Sequence, residues 1–203
     1  MGRAIDSARQ TTGVQVIVVD GGSTDQTVDV ALTHGAEVVV SPPGRGIQMN
    51  AGAQAAHAAW LLFLHADTRL PFGYDRHVRS VLSSPHSSAG AFRMAFDRSS
   101  ISLRLIEWGT YLRARYWHMP YGDQALFLRR ETFDNAGRYP AVSAMEDYLL
   151  VLRLRRMGQV AVGSLPVLTS ARTYLHHGPW HTVLLHQRMI LTWVWRQWRT
   201  RRK

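Results

Sequence analysis

Residues 14–25, VQVIVVDGGSTD, form the stretch that decides the fold. The first part is a continuous β-branched run, which is typical of a parallel strand that is buried on both faces. The run ends at Asp20, and the two glycines that follow permit a turn. Ser23, Thr24 and Asp25 are candidate N-caps, so we expect a helix from there to about residue 34. This order of strand, turn and helix is typical of an α/β sheet.

The same alternation continues along the chain. Residues 36–40 and 60–64 are short apolar runs that predict strands, and the Ala-rich residues 47–59 between them predict a helix. Further strands are predicted at 89–96, 125–128, 159–162 and 167–169, and further helices at 101–116, 130–136 and 146–157. Strands that alternate with helices at this spacing predict an α/β fold with a mostly parallel sheet flanked by helices.

Charge is distributed unevenly over the 203 residues. Residues 1–147 carry 14 Arg and 14 acidic side chains, whereas residues 148–203 carry 10 basic side chains and no acid, which gives the net charge of +10. An evenly basic nucleic-acid-binding protein would not have this distribution, which indicates an anionic partner at one end of the chain. The chain has no cysteine, so it has no thiolate metal site or cysteine nucleophile, and we expect a cytoplasmic protein.

The basic end predicts an amphipathic helix. One polar stripe, with a side chain every three or four residues, consists of Arg188, Thr192, Arg196, Arg199 and Lys203, and Leu and Trp side chains occupy another face. One interpretation is a terminal helix packed on the body with solvated arginines. The other is a helix that binds anionic lipid at the inner face of the cell membrane through residues 183–203.

Acidic side chains are the candidate functional residues. Asp20 and Asp67 follow two of the predicted strands, so their carboxylates share one edge if both strands belong to one parallel sheet. They could hold Mg²⁺ or Mn²⁺ there, or act only as turn and cap residues. Glu146 and Asp147 begin a helix. In one interpretation their negative charges are there because the helix dipole stabilises them, and in the other they supply a general base. Asp123 lies in a further acidic turn with the same two interpretations.

Five short motifs occur in order along the chain. They are VVDGGSTD at residues 18–25, GRGIQMNAGA at 44–53, FLHADT at 63–68, GDQ at 122–124 and MED at 145–147. Together they resemble family 2 glycosyltransferases of the GT-A fold, and in particular a bacterial subgroup with a His-Ala-Asp-Thr motif. The resemblance implies a GT-A domain over residues 1–175, followed by the basic amphipathic helix over residues 176–203.

The resemblance also implies an activity, which is transfer of a sugar with inversion from a nucleotide-sugar donor to an acceptor hydroxyl. Asp147 matches the general base, with Glu146 beside it, and Asp67 matches a ligand of Mg²⁺ or Mn²⁺, with His65 in place of the family's first acid. Donor contacts are implied for Asp20, Asp25, Arg45, Asn50 and Arg172, and contacts with the sugar or acceptor for Asp123 and Gln124. Lipid binding by the basic helix would favour a lipid-linked acceptor.

Two other classes of protein remain as alternatives. A nucleotidyltransferase also combines a metal with a Rossmann-like sheet, but it would carry a Gly-rich basic loop after its first strand, where this chain has Asp20 and Asp25. A non-catalytic protein could bind a membrane or nucleic acid through the basic helix. Three tryptophans in that helix, Trp193, Trp195 and Trp198, favour a membrane over nucleic acid.

The chain departs from the family pattern at its start. Family members begin with a strand that carries a Pro and an Asn-Glu pair, whereas here 13 residues precede Val14 and residues 1–12 predict a helix. That strand normally lies inside the sheet, so its absence would leave the edge of a neighbouring strand unpaired. We therefore expect either an upstream start or another element in the gap.

Overall fold

The computed structural model describes residues 1–200, apart from the side chains of residues 194 and 196–200. The strands are β1 (Ile17–Asp20), β2 (Glu37–Val40), β3 (Trp60–Leu62), β4 (Thr68–Arg69), β5 (Ser87–Phe96), β6 (Phe127–Arg129) and β7 (Gln159–Thr169). The helices are α1 (Gly2–Ala8), α2 (Thr27–Thr33), α3 (Arg45–Ala55), α4 (Tyr74–Leu82), α5 (Ile101–Trp117), α6 (Arg130–Asn135), α7 (Glu146–Met157), α8 (Arg172–His177) and α9 (Pro179–Thr200). A 3₁₀ turn, Gly122–Gln124, precedes β6.

The strands form two sheets. β1 and β2 pair in parallel, and the second sheet has the order β3-β6-β5-β7-β4. In that second sheet β5 and β7 are parallel neighbours, and the pairings of β6 and β4 are antiparallel. β3, β5 and β7 therefore share one direction. The predicted α/β architecture, with a sheet flanked by helices, is confirmed.

A groove separates the two sheets. β1 ends one sheet and β3 ends the other, so each has a backbone edge without a strand partner in the described part of the chain. The groove has a volume of about 770 Å³, and its walls are mainly apolar side chains of β1, β3, α1, α3 and α4. The β-branched side chains of β1 are consequently only half-buried, although the sequence predicts burial on both faces. The unpaired edge that the family resemblance predicts lies here.

The sheet of five strands has an apolar layer on each face. Neighbouring residues of a strand point to opposite faces, so Leu128 and Phe127 of β6 enter different layers. Leu128 packs in one cluster with Leu150 of α7, and Phe127 packs in another with Val78 of α4. A third cluster joins α5 to α9 and includes Leu103, Ile106 and Val183. These layers fix α7, which carries the predicted base, against the sheet.

Several element boundaries differ from the predictions, and two of these differences have an identifiable reason. Helix α3 ends at Ala55 rather than at 59. The guanidinium of Arg130 caps this end, because it donates hydrogen bonds to the carbonyls of Ala53, Ala56 and Ala58. The strands predicted at 159–162 and 167–169 are one strand, β7, because it stays paired with β5 across a register shift between Ala91 and Arg93.

The predicted helices at both ends of the chain are present. α1 buries Ala4, Ile5 and Ala8, and α9 begins at Pro179. Four residues of the predicted amphipathic helix lie outside the described side chains, and they are Arg196, Trp198, Arg199 and Lys203. Among the described residues, no helix is long and apolar enough to cross a membrane.

Candidate active site

Glu146 and Asp147 occupy the first turn of α7. Met145 precedes them in the left-handed conformation, with φ of 72°, and turns the chain sharply into the helix. Glu146 is 2% exposed, and the Asp147 side chain is also largely withdrawn from solvent. The helix N-terminus favours both negative charges, so the dipole interpretation holds for this pair. Burial of two adjacent carboxylates costs free energy that the dipole alone does not offset, and a nearby cation supplies the remainder.

That cation is Arg45, the first residue of α3. Its Nε lies 3.1 Å from Glu146 Oε1, and its Nη2 lies 3.4 Å from Asp147 Oδ2. The same Nη2 lies 2.8 Å from His65 Nε2, so the guanidinium joins three separate segments. Gly46 permits this approach, because a Cβ there would lie 2.7 Å from the carbonyl oxygen of Pro140 in the loop before α7.

The 3₁₀ turn closes another side of Asp147. A Cβ on Gly122 would overlap Asp147 Oδ2, so a larger residue here would displace the carboxylate or the turn. Gln124 is fully buried, and its Nε2 donates to the carbonyl of Phe92 at 2.9 Å, so its amide anchors the turn to β5. Asp123, between them, faces Asp147 closely enough for the two charges to interact.

Burial raises the pKa of the Asp147 carboxyl above its ordinary value of 3.8. The positive charges of Arg45 and His65 oppose this rise, and the negative charges of Glu146 and Asp123 add to it. A carboxylate whose proton affinity is raised in this way is suited to accept a proton from a hydroxyl.

Several oxygens around Asp147 lack a hydrogen-bond partner in the described part of the chain. They are Asp123 Oδ1, the Tyr139 hydroxyl and Asp147 Oδ1, and all three are buried. Burial also raises the pKa of Tyr139 well above 10, and the charges of Asp147 and Glu146 contribute. Buried polar atoms are normally paired, so these three unpartnered oxygens are exceptions to the usual pattern.

His65 and Asp67 lie in the segment between β3 and β4. Asp67 is exposed, whereas His65 is half-buried with its Nε2 turned to Arg45. Within the described residues, no group of three or more His, Cys, Asp or Glu side chains could hold a metal. Asp67 and His65, the two predicted metal ligands, are therefore not part of such a group.

The other predicted donor residues lie outside this group. Asp20 accepts hydrogen bonds from the backbone amides of Gly22 and Ser23, and Asp25 accepts one from Thr27 at 3.0 Å. Hydrogen bonding by Ser23 lowers the pKa of Asp20. Because β1 and β3 belong to different sheets, Asp20 and Asp67 do not end strands of one parallel sheet as the sequence allowed.

Asn50 and Arg172 also have separate positions. Asn50 exchanges two hydrogen bonds with the backbone of Tyr139, at 2.8 and 3.0 Å, and so ties α3 to the loop before α7. Arg172 begins α8 and is exposed. The structure thus brings together Arg45, His65, Asp123, Glu146 and Asp147, and leaves Asp20, Asp25, Asn50 and Arg172 apart from them.

Sequence reasoning missed Tyr139 and the roles of two glycines. Tyr139 lies outside every quoted motif, and no local pattern indicates that its hydroxyl reaches the acid pair. Gly46 and Gly122 do lie inside quoted motifs, GRG and GDQ. A glycine directly beside Arg45 and another directly beside Asp123 could have indicated that other parts of the chain approach closely there.

Comparison with known proteins follows the same motifs. The family model for glycosyl transferase family 2 matches residues 1–145. A glycosyltransferase of Mycobacterium tuberculosis (strain ATCC 25618 / H37Rv), described as uncharacterized, is 44% identical over 62 residues, which are 30% of this chain and 28% of that protein. The segment of this chain that matches therefore covers less than a third of the length of this curated relative.

Two solved structures have a similar fold at low sequence identity. S. aureus TarS 1-349 in complex with UDP-GlcNAc has a TM-score of 0.59 and 17% identity, over 82% of this chain and 52% of that one. Glucosyl-3-phosphoglycerate synthase from Mycobacterium tuberculosis, in complex with Mn²⁺, UDP and glucosyl-3-phosphoglycerate, has a TM-score of 0.57 and 20% identity, over 81% and 64%. Both support the GT-A type of α/β fold.

Proposed function

The chain belongs to glycosyl transferase family 2, and on that basis we propose that it transfers a sugar, with inversion and metal assistance, from a nucleotide-sugar donor to an acceptor hydroxyl. The observation that carries the proposal is the buried Asp147 carboxylate, which is enclosed by Arg45 and Gly122 and surrounded by unpartnered polar oxygens. Such a site can bind hydroxyl groups and remove a proton from one of them.

Asp147 is the proposed general base. Its carboxylate accepts the proton of the acceptor hydroxyl while that oxygen attacks the anomeric carbon of the donor. The nucleoside diphosphate leaves from the opposite side of this carbon, so the configuration inverts. Glu146 holds Arg45 beside the base through the 3.1 Å contact. Asp123 is placed to bind a hydroxyl of the sugar or acceptor, and Gln124 keeps the turn that carries Asp123 in position.

The donor is proposed to bind from the side of β1 and β3. Asp67, with His65, would hold Mg²⁺ or Mn²⁺, which when bound neutralises charge on the departing diphosphate. Arg45 and Arg172 are proposed to contact the phosphates, since guanidinium groups bind phosphate in a bidentate manner. Asp20, Asp25 and Asn50 are proposed on the nucleoside side, where Asp20 also shapes the turn after β1.

We propose a lipid or lipid-linked acceptor and a peripheral membrane contact through residues 183–203. Exposed apolar side chains on α9 and the absence of acidic residues from 148–203 support this part. Family membership disfavours the nucleotidyltransferase alternative. No comparison found here favours a non-catalytic nucleic-acid-binding protein.

The Asp147→Asn variant tests the proposed base. A base that accepts a proton in the transition state contributes about 10²–10⁴-fold in rate, so we expect turnover to fall by that factor while donor affinity changes little. Turnover is measured as nucleoside diphosphate release and affinity by calorimetric titration. Asp134→Asn, which removes a surface carboxylate paired with Arg138, is the matched control. Near-normal turnover in Asp147→Asn would show that another group is the base.

A further inference from the structure

Helix α5 has apolar side chains on two opposite faces. The buried face consists of Leu103, Ile106, Thr110 and Ala114. The other face carries Ile101, Leu105 and Trp108, at helical spacing of four and three residues, and these are 82%, 50% and 63% exposed. An apolar stripe on a helix normally faces a packed core, and the core of this helix is already covered by the other face. The outer face of α5 is therefore unusual for a helix in contact with water alone.

Helix α9 lies beside α5 and adds to this surface. The two helices meet through Val183, which packs against the cluster that contains Leu103 and Ile106. Away from this contact, α9 exposes large apolar side chains. They are Trp180, Leu184, Leu185, Met189, Leu191 and Trp195. The exposed apolar side chains of the two adjacent helices, called here the α5–α9 surface, exceed the scattered exposure that is ordinary for a globular protein.

Charges around the α5–α9 surface have one sign. Arg104 and Arg115 of α5 and Arg188 of α9 are exposed. α8 and α9 contain no acidic residue, and Glu107, the acid of α5, is half-buried and accepts a hydrogen bond from the amide of Phe96 at 2.7 Å. Tryptophan and arginine around an apolar surface are the composition of segments that lie in the interface of an anionic bilayer. A protein partner would need a complementary acidic surface, whereas anionic lipid supplies the charge uniformly.

The inner sides of both helices also contact residues next to the acid cluster. Trp193 of α9 packs edge-on against Tyr148, the residue after Asp147, with ring centroids 5.9 Å apart. Arg113 of α5 lies over the Tyr121 ring, 3.5 Å from its centroid, and Tyr121 immediately precedes the 3₁₀ turn. Both helices thus contact residues that adjoin the proposed acceptor side.

We propose that the outer faces of α5 and α9 together bind the surface of an anionic bilayer, so that α5 is a second membrane-binding helix beside the basic tail. The apolar and Trp side chains enter the interface, and the arginines contact lipid phosphates. Resting on the proposed function, the same contact would bring the protein to a membrane that contains a lipid acceptor.

Vesicle flotation tests the proposal. We expect the protein to float with vesicles of phosphatidylglycerol and phosphatidylcholine, and to float poorly with phosphatidylcholine alone. Replacing both Leu105 and Trp108 by Ser should lower partitioning into the anionic vesicles about tenfold or more, because two large apolar contacts are lost. Phe72→Ser is the matched control, since Phe72 is 80% exposed in the segment between β4 and α4, away from both helices.

Three results would overturn the proposal. One is full flotation of the Leu105/Trp108 double variant, which would leave binding to α9 alone. Another is a wild-type protein that ignores anionic vesicles. The third is a dimer in sedimentation that the double variant dissociates, which would assign the surface to a second copy of the chain. Donor hydrolysis without vesicles is measured in parallel: its absence with flotation intact would reject the proposed function and leave membrane binding standing.

Discussion

The charge state of one residue, Asp147, links the site to stability. Its pKa is raised by burial above 3.8, so between 3.8 and the raised value the folded chain binds more protons than the unfolded chain. The free energy of unfolding therefore falls as pH rises through this window. The site thus holds a carboxylate at a cost in stability that grows as the carboxylate ionises.

Asp147→Asn should remove that pH dependence. We expect the variant to be about as stable as the wild type below pH 3.8 and to become the more stable of the two as pH rises, because the amide does not ionise. Urea unfolding of both proteins from pH 4 to 8 measures the difference, and Asp134→Asn again serves as the control. A wild-type protein that gains stability over the variant with rising pH would contradict the burial of an ionised Asp147.

A second effect at the residue scale concerns Gly122. Alanine here would place a Cβ 2.2 Å from Asp147 Oδ2, so the carboxylate or the turn must move. Misplacement of a catalytic group by about 1 Å can cost about 10²-fold, and we expect a turnover loss of that order in Gly122→Ala. Gly109→Ala is the matched control, because a Cβ there meets no atom within 4 Å. If both variants keep the wild-type turnover number, Asp147 is not held by this turn.

At this scale, contacts between residues that are adjacent in the sequence are predicted well. Contacts between residues far apart in the sequence are predicted less well. The pairing of Glu146 with Asp147 is read directly from the chain. Arg45 and Asp147 are 102 positions apart, and the side-chain contact between them depends on how α3 packs against α7. The family resemblance implies a phosphate contact for Arg45, and it gave no indication that the guanidinium also lies beside Glu146 and Asp147. No local pattern distinguishes these two positions of one flexible side chain.

At the scale of elements, α5 shows what periodicity can decide. Leu105, Trp108 and Leu112 recur at helical spacing and predict a helix correctly, yet the face that is buried carries Leu103 and Ile106. Periodicity identifies an apolar stripe but cannot rank two stripes on one helix, because the choice depends on the neighbours that the fold brings. Here those neighbours are Met94 and Phe96 of β5.

Two alanine variants two residues apart, on different faces of α5, measure this difference. Leu103 is fully buried, so Leu103→Ala should lower the free energy of unfolding by about 2–5 kcal/mol. Leu105→Ala changes an exposed position and should stay within about 0.5 kcal/mol of the wild type. Chemical denaturation of both variants provides the values. Equal losses would mean that the outer face of α5 is also buried in the folded chain.

At the scale of the whole molecule, the proposed metal site predicts that metal and nucleotide bind interdependently. No described group of three or more His, Cys, Asp or Glu side chains could hold a metal, so an ion bound by Asp67 and His65 as proposed would need diphosphate oxygens as further ligands. Each ligand should then strengthen binding of the other. We expect Mn²⁺ alone to shift the melting temperature little, and Mn²⁺ with UDP to shift it by more than the sum of the separate shifts.

Thermal-shift measurements with EDTA, Mn²⁺, UDP and both ligands provide the comparison. Asp67→Asn should remove the excess shift, and Asp29→Asn, on the surface of α2, should retain it. A large shift from Mn²⁺ alone in the wild type would instead indicate a site formed by the protein without the diphosphate.

The groove between β1 and β3 has a further consequence for how the molecule opens. In the part of the chain that the structure describes, no ladder of backbone hydrogen bonds connects the two sheets. We therefore expect β1 and β2 to open locally more readily than the β5–β7 pair. Amide protons of Val18 and Val19 should then exchange with solvent at a lower opening free energy than those of Ala89 and Ala91, and the turn that carries Asp20 should open with them.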